Sequence, residues 1–271
     1  MKPIHITSRD NSLLRRARDV RDGKLKELIF VEGLRLCEEA LASGLKIDAV
    51  VFSEEIARKE RAAKFLKQLD RVCERLASVS EKLLASISYT TTPQGIILLA
   101  SRPDWVRAKF ENAQGTAPLI VIMHGINNPV NVGAILRTAE AAGATGAIAT
   151  AHNTDPFSPK ALRGAMGSTF RLPIWTGATY AQALAWCSER NIETICADLE
   201  GSTLYTEIDW QGSRALIVGP ESTGLTAEEV SAASAVVKIP MHGQVESLNV
   251  GVAASILLYE AARQRAAKVS V

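Results

Sequence analysis

Short apolar runs alternate with amphipathic segments along the whole chain. In the first hundred residues, "ELIFV", "DAVVF" and "GIILLA" have the length and composition of strands, and segments with helical spacing lie between them. In the helical segment "NSLLRRARDVRDG", Asn11 is a plausible N-cap and Gly23 a stop signal. Leu13, Ala17 and Val20 share one face of that helix. The pattern predicts a first domain of the α/β class.

The same alternation continues in the second half of the chain. The predicted strands are "PLIVIMH", "GAIATA", "IETICAD", "RALIVG" and "AVVKIP", and the predicted helices include 180–190, 227–234 and a last one from about 248. Repeated short apolar strands with helices between them predict a largely parallel sheet that is covered on both faces. Because such sheets bind ligands at the carboxyl ends of their strands, we expect function in the loops that follow the strands.

A polar segment broken by proline and glycine, residues 101–118, separates the two halves. We therefore predict a first domain at 1–109, a linker to about 117 and a second domain at 117–271. Residues 1–109 hold 21 Lys and Arg against 15 Asp and Glu (+6), and the rest hold 10 against 14 (−4). This asymmetry suits a first domain that meets a polyanion and a second that carries the chemistry, but a chance distribution of solvated charges also fits it.

The first predicted helix carries four arginines on its polar side: Arg15, Arg16, Arg18 and Arg21. They are candidates for contact with a polyanion. Arg15 also lies four residues before Asp19, and Arg18 four before Asp22. Ion pairs at this spacing are common on solvated helices, so internal pairing is the alternative hypothesis.

Several classes of protein and site have no support in the sequence. The four cysteines (Cys37, Cys73, Cys187 and Cys196) include no Cys-x-x-Cys pair, so buried hydrophobic thiols are expected rather than a disulfide framework or a zinc site. The four histidines lack metal-ligand spacing, and we predict no metal. No secretory signal opens the chain and no membrane span is expected, which favours a cytoplasmic protein.

The first loop of interest leads into the helix of "NNPVNVGAILRTAEAAG", residues 127–143. We expect Asn131 to be its N-cap, 132–142 to be helical and Gly143 to end it. Ile135, Ala139 and Ala142 then form the buried stripe.

Arg137 is a permanent charge on this otherwise apolar helix. It lies about 200° around the helix from Ile135 and is expected to reach over the helix start towards the strand ends. The alternative is a surface ion pair with Glu140, three residues further on.

A second loop follows the strand in "ALIVGPESTGLTAEEV". Thr226 with Glu229 three residues later predicts a capping box. Gly219 would let a ligand approach the backbone closely, and Glu221 lies on a stiff turn just beyond the strand. An ordinary strand-to-helix loop is the alternative.

The third loop lies in "KIPMHGQVESLNVGVAASILLYEAA" and precedes a helix that is small or apolar almost all round. Such a helix is expected to be buried on every side, at a subunit interface or in a tightly threaded core. Ser247 and Asn249 lie at its beginning, where helix capping is their simplest role.

The three loops together resemble the SpoU or TrmH-like family of RNA ribose 2′-O-methyltransferases, in the SPOUT class, across residues 117–265. Residues 7–100 look like the L30e-type RNA substrate-binding domain. The resemblance implies an α/β SPOUT domain with a deep trefoil knot, a smaller L30e-like α/β domain before it, and a homodimer. It also implies S-adenosylmethionine as methyl donor and an RNA substrate, 23S ribosomal RNA in particular.

The resemblance also assigns roles to residues. Around the donor it implies Gly219, Ile239, Met241 and Leu248, and for catalysis and substrate binding it implies Asn131, Arg137, Glu221, Ser247 and Asn249. Arg137 is the family's candidate for activating the ribose hydroxyl. Since a guanidinium holds its proton firmly, we favour Arg137 as a phosphate clamp that orients or acidifies the hydroxyl, with another group or water taking the proton.

Three other functions are alternatives to methylation of ribosomal RNA. A tRNA substrate is the nearest alternative. A catalytically silent RNA-binding protein of the same fold is the second, and the five intact motif residues argue against it. A dehydrogenase is opposed by the absence of a strand-linked G-x-G-x-x-G fingerprint.

Overall fold

The structure is a computed structural model that describes residues 3–104 and 117–267. These residues form two compact units: unit 1 comprises 3–104 with 157–170, and unit 2 comprises 117–156 with 171–267. Residues 105–116, in which the predicted linker largely lies, are outside the described part, so the limits 109 and 117 remain predictions.

Before the linker the chain forms, in order, β1 (Ile4–Ile6), α1 (Ser12–Arg21), β2 (Leu28–Glu32), α2 (Leu34–Ala42), β3 (Ile47–Ser53), α3 (Glu54–Ala57), α4 (Glu60–Leu69), β4 (Leu76–Val79), α5 (Glu81–Ile87) and β5 (Ile96–Ser101). The sheet order is β1-β4-β3-β5-β2, and β5 runs in the direction opposite to the other four strands. Ile6, Val79 and Ser53 pair across three strands, so β1, β4 and β3 end at one edge of this sheet.

Helix α1 agrees with its predicted start, face and end. The Asn11 side chain accepts a hydrogen bond from the amide of Leu13, and Gly23 follows the helix at φ +74°. Leu13, Ala17 and Val20 are buried against the unit 1 core. The α/β prediction for this half is therefore confirmed.

The i,i+4 ion pairs of the alternative hypothesis do not form along α1. Asp19 pairs with Lys24 in the turn after the helix, and Asp22 pairs with the adjacent Arg21. These neighbours displaced the i,i+4 partners, which contribute only tenths of a kcal/mol. A third arginine, Arg16, reaches Asp48 at the start of β3.

After the linker come β6 (Leu119–Met123), α6 (Pro129–Ala141), β7 (Gly146–Thr150), α7 (Pro159–Ala165), α8 (Ser168–Arg171), β8 (Ile174–Ala178), α9 (Tyr180–Ser188), β9 (Glu193–Ala197), β10 (Thr203–Leu204), β11 (Arg214–Val218), α10 (Ala227–Ser231), β12 (Ala235–Lys238) and α11 (Val250–Ala267). The seven-stranded sheet has the order β10-β12-β9-β11-β6-β7-β8, and every pairing in it is parallel. The predicted parallel sheet is confirmed.

Unit 2 buries both faces of its sheet. On one face, Ile120 and Ile122 of β6 pack with Trp186 of α9 in a single apolar cluster. The intervening Leu119 and Val121 are also fully buried, and because side chains alternate along a strand they face the other side. Helix α11 packs against α6 and β11.

Residues 157–170 were not predicted to leave the second domain. They belong to unit 1, where α7 contacts the edge strand β2 and the Arg102 guanidinium lies 4.4 Å from the Phe157 ring centroid. Within residues 3–104 and 117–267, no helix is long and apolar enough to cross a membrane.

Candidate active site

The candidate site is built on adjacent carboxyl ends of the unit 2 sheet. Met123 of β6 pairs with Val218 of β11, so the loops that follow these two strands leave the sheet side by side. Gly125 has φ +65°, and a Cβ added there would lie 2.9 Å from Cγ of Pro220. This close contact between the two loops requires glycine.

Asn131 joins all three loops of interest. It is 8% exposed, its Nδ2 donates to Oε1 of Glu221 at 2.7 Å, and its Oδ1 accepts a hydrogen bond from Nδ2 of Asn249 at 3.3 Å. Because both ends of the amide are bonded, its orientation is determined. We call Asn131, Glu221 and Asn249 the amide–carboxylate cluster.

The sequence pattern predicted Asn131 as the N-cap of α6, and this prediction is wrong. The cap is Asn128, whose side chain accepts a hydrogen bond from the amide of Val130 at 2.9 Å. Pro129 then takes the first helical position, where its fixed φ is favourable and no amide proton is needed. The side chain of Asn131, one turn further in, is thus available to the cluster. The predicted buried stripe of Ile135, Ala139 and Ala142 is confirmed.

Arg137 is exposed and, within the described part of the chain, makes no hydrogen bond or ion pair. The alternative, an ion pair with Glu140, does not form, because Glu140 accepts hydrogen bonds from Nε and Nη2 of Arg171 at 2.5 and 2.9 Å. The next residue, Thr138, bonds Ser255 of α11 at 3.2 Å. The structure thus leaves the Arg137 guanidinium available to a ligand, without joining it to the amide–carboxylate cluster.

The loop after β11 folds back on itself. A Cβ at Gly219 would lie 2.8 Å from Cγ of Leu225, so the loop's own leucine already occupies the space above this glycine. Glu221 is exposed, and its second oxygen, Oε2, has no hydrogen-bond partner among the described residues. The predicted capping box of Thr226 and Glu229 is confirmed.

The loop before α11 contains partly exposed apolar side chains and the N-cap residue of α11. Ile239, Met241 and Leu248 are each partly exposed. Asn249 accepts a hydrogen bond from the amide of Gly251 at 3.0 Å and so caps α11 as expected. Ser247 is exposed and makes no such bond within residues 117–267.

Helix α11 is not buried on every side in a single chain. Ala254, Leu257, Leu258 and Ala261 are fully buried, whereas Val252 is 49% and Tyr259 is 56% exposed. These two residues are seven positions apart and lie on the same face.

His124 and Glu229 form a contact that the sequence did not predict. His124 follows β6 directly; its Nε2 lies 2.9 Å from Oε1 of Glu229, and its Nδ1 lies 3.1 Å from Oγ1 of Thr150. Tyr180 packs on the imidazole with ring centroids 4.7 Å apart and donates its hydroxyl proton to the Glu229 carbonyl. This contact anchors the far end of the loop that carries Glu221. Glu229 was recognised only as a capping residue because its partner is 105 residues away.

The carboxylate of Glu229 should make part of the stability pH-dependent. The backbone amide of Thr226, opposed by burial and aided by His124, lowers the pKa of Glu229 below its ordinary 4.5. Stabilisation by the charged form is therefore complete above pH 4.5 and is lost as the pH falls through the lowered pKa.

We predict that Glu229→Gln lowers the free energy of unfolding by about 0.5 to 1 kcal/mol near neutral pH, the usual contribution of a charge at a helix start. Urea denaturation across an acid pH series measures this difference, which should shrink as the wild-type carboxylate becomes protonated. A difference that stays constant down to strongly acid pH would contradict the assignment.

The described residues contain no group of three His, Cys, Asp or Glu side chains that could hold a metal ion. All four cysteines are buried and free. Burial raises the pKa of the Cys187 thiol to about 12, so this thiol is protonated at neutral pH.

Comparison with known proteins agrees with the site's three loops. Residues 118–259 match the SpoU rRNA methylase family, and residues 14–98 match the MRM3-like substrate-binding domain. An uncharacterised tRNA/rRNA methyltransferase of Synechocystis sp. is 31% identical over 96% of this chain and 94% of its own length. A 23S rRNA (guanosine-2′-O-)-methyltransferase of Ralstonia nicotianae is 32% identical, covering 81% of this chain and 88% of its own.

A solved structure resembles the chain over nearly its whole length. The S-adenosylmethionine-bound rRNA methyltransferase of Sinorhizobium meliloti superimposes with a TM-score of 0.80 at 30% identity, covering 96% of this chain and 97% of that one. The matched family region contains β6 to β12 and every residue of the amide–carboxylate cluster. The chain belongs to the SpoU rRNA methylase family.

Proposed function

We propose that the protein transfers the methyl group of S-adenosylmethionine to a ribose 2′-hydroxyl of RNA, with 23S ribosomal RNA as the substrate. The observation that carries this proposal is the amide–carboxylate cluster, in which Asn131 holds Glu221 and is itself held by Asn249. The cluster unites the three motif loops of the family, two of which follow the adjacent strands β6 and β11. The R. nicotianae relative, named for 23S rRNA, supports ribosomal RNA over tRNA. A ribosomal RNA substrate also favours the predicted cytoplasmic location.

The loops around the cluster suit the methyl donor. Ile239, Met241 and Leu248 offer partly exposed apolar surface for the adenine ring and the methionine chain of the donor, and Gly219 with its neighbours offers backbone groups. The donor, when bound, supplies an electrophilic methyl group on a sulfonium centre. The bound donor in the S. meliloti structure supports this assignment.

The residues of the site then act on the ribose and its phosphate. Arg137 clamps the phosphate beside the reacting ribose with its planar fork and orients the 2′-hydroxyl. The unpartnered Oε2 of Glu221 can accept a hydrogen bond from substrate, and Asn131 keeps that carboxylate in place. Ser247, exposed near Asn249, adds a hydroxyl for the substrate. Since a poor nucleophile must be aligned with the methyl group, orientation supplies much of the acceleration.

The direct test is methylation of RNA by the full chain. With S-adenosylmethionine carrying a labelled methyl group and 23S rRNA transcribed in vitro, label should enter RNA, and nuclease digestion with mass spectrometry should find it on a ribose. Transfer to tRNA alone would favour the nearest alternative. Donor and RNA binding without transfer would favour the silent RNA-binding protein.

The predicted homodimer rests on apolar surface that one chain leaves uncovered. Val130, Val245, Val252 and Tyr259 of unit 2 are each between 45% and 59% exposed. Burying the exposed half of such side chains against a second copy contributes on the order of 1 kcal/mol each. The return of α11 from β12 to α6 and β11 is also compatible with the trefoil knot that the family resemblance implies.

Sedimentation equilibrium should therefore give twice the chain mass at micromolar concentration. Tyr259→Glu, which places a charge on the exposed face of α11, should shift the protein to monomer. A wild-type monomer at that concentration would refute the dimer.

A further inference from the structure

Unit 1 contains a cleft of ≈ 450 Å³ between the edge strand β1 and helix α5. Its apolar part is formed by Ile6 and the partly buried Leu83. Because Ile6 and Val79 are paired, the turn after β1 and the turn after β4 leave the sheet side by side and line the cleft together. Two cations line the cleft: Arg9, in the turn after β1, and Lys82, in the first turn of α5.

The two cations have no partner among the residues that the structure describes. Arg9 and Lys82 are exposed, and within residues 3–104 and 117–267 neither side chain makes a hydrogen bond or ion pair. The residues that line the cleft include no carboxylate. The nearby Glu54 lies 3.5 Å from Nδ1 of His5, at the rim. An anion in the cleft would therefore not compete with an internal partner for either cation.

Two hydroxyl groups in the cleft can donate to an anion. Thr7 makes no hydrogen bond among the described residues, and Ser80 only accepts one, from the amide of Leu83 at 3.4 Å. Ser86, in contrast, already donates its hydroxyl proton to the Leu83 carbonyl at 2.7 Å, so it is not available to donate to an anion. Arg, Lys and hydroxyl donors are the groups that proteins use to bind phosphate oxygens and sugars of nucleic acids.

The arginines of α1, which the sequence made candidates for contact with a polyanion, are mostly paired within the protein. Arg16 pairs with Asp48, Arg18 donates to the Arg9 carbonyl at 3.0 Å, and Arg21 pairs with Asp22. The positive charge that unit 1 can offer to a partner therefore lies in places such as the cleft.

We propose that the cleft binds the sugar–phosphate backbone of the RNA substrate, with Arg9 and Lys82 on phosphate and Thr7 and Ser80 donating to phosphate or sugar oxygens. This inference rests on the proposed function and names the surface through which unit 1 holds its RNA. No Phe, Tyr or Trp lines the cleft, and the His5 imidazole at its rim lies 3.5 Å from Glu54, so the proposed contacts are to phosphate and sugar and are independent of sequence.

The test compares two double variants of the full chain. Arg9→Gln with Lys82→Gln removes both cleft charges. Lys26→Gln with Lys46→Gln removes two charges that are also exposed and make no hydrogen bond or ion pair with a described residue. These lysines precede β2 and β3 and therefore lie at the other end of the strands of the same sheet. Binding to in vitro transcribed 23S rRNA is measured by filter retention across a salt series, and donor binding by calorimetry.

The cleft variant should bind RNA roughly tenfold more weakly, and its salt slope should fall by about 1.4 to 1.8 for two lost phosphate contacts. The control variant should keep the wild-type slope, and donor affinity should be unchanged in both. If the cleft variant kept the wild-type affinity and salt slope, or if both variants lost the same RNA affinity, the proposed role of the cleft in RNA binding would be refuted. Wild-type protein that neither binds nor methylates RNA would overturn the proposed function and the cleft together.

Crosslinking provides a second measurement that needs no loss of binding. Because all four native cysteines are buried, Thr7→Cys can be labelled selectively with a photoactivated aryl azide. Irradiation should join this position to 23S rRNA, and the same probe on Lys26→Cys should not. Crosslinking from position 26 but not from position 7 would exclude the cleft as an RNA-binding surface.

Discussion

Replacing Arg137 with alanine is expected to lower the single-turnover rate of methyl transfer roughly a hundredfold to a thousandfold. This corresponds to about 3 to 4 kcal/mol, the usual loss when one charged transition-state contact is removed. The expectation rests on an exposed guanidinium without a partner in the described chain, on a helix whose next carboxylate, Glu140, is occupied by Arg171. Rapid-quench measurement with saturating donor and RNA gives the rate.

Arg137→Lys should be nearly as damaging, because an ammonium keeps the charge but loses the planar fork that holds phosphate through two parallel bonds. Both variants should keep donor affinity and oligomeric state, since Arg137 stabilises no other described residue. If Arg137→Ala transferred methyl groups at close to the wild-type rate, Arg137 would be an ordinary surface residue and the proposed clamp would be wrong.

The second large effect concerns stability. Arg265 of α11 donates to four backbone carbonyls: Trp210 at 2.9 Å, Ala117 at 2.6 Å, Pro118 at 3.2 Å and Gly212 at 2.6 Å. Burial lowers the pKa of Arg265, yet a guanidinium remains charged at neutral pH. Arg265→Met removes the donors and leaves the carbonyls unpaired, so we expect a loss of about 3 kcal/mol in the free energy of unfolding, measured by urea denaturation.

Arg263, two residues earlier on the same helix, is the matched control. Its side chain is 67% exposed and pairs with the buried Glu260, which also accepts a hydrogen bond from Nε2 of Gln264 at 2.7 Å. Arg263→Met therefore leaves that carboxylate one hydrogen-bond partner, and we expect it to lower the free energy of unfolding by about 1 to 2 kcal/mol, less than Arg265→Met. Equal losses in the two variants would mean that the effect comes from helix α11 in general and not from the carbonyls around Arg265.

Part of the site could be recognised from local sequence. Asn131, Glu221 and Asn249 each lie in a loop that follows a predicted strand, and each belongs to a motif of the family. Their meeting could not be derived in the same way, because Asn131 bonds partners 90 and 118 residues away. The error at the start of α6 is instructive: two asparagines compete for the cap, and Pro129 decides for Asn128 because proline is favourable at the first helical position.

The sequence by itself determined the α/β class, the parallel sheet of unit 2, the limits of α1 and the three loops that carry the family's motifs. These follow from hydrophobic periodicity and from caps such as Asn11 and Thr226, which act within a few residues. Only the tertiary structure decided which charges are free. Arg171 takes Glu140 and Asp48 takes Arg16, whereas Arg137 keeps no partner among the described residues. Ion pairs on helices are individually weak, so any better-placed group that folding brings near replaces the local partner.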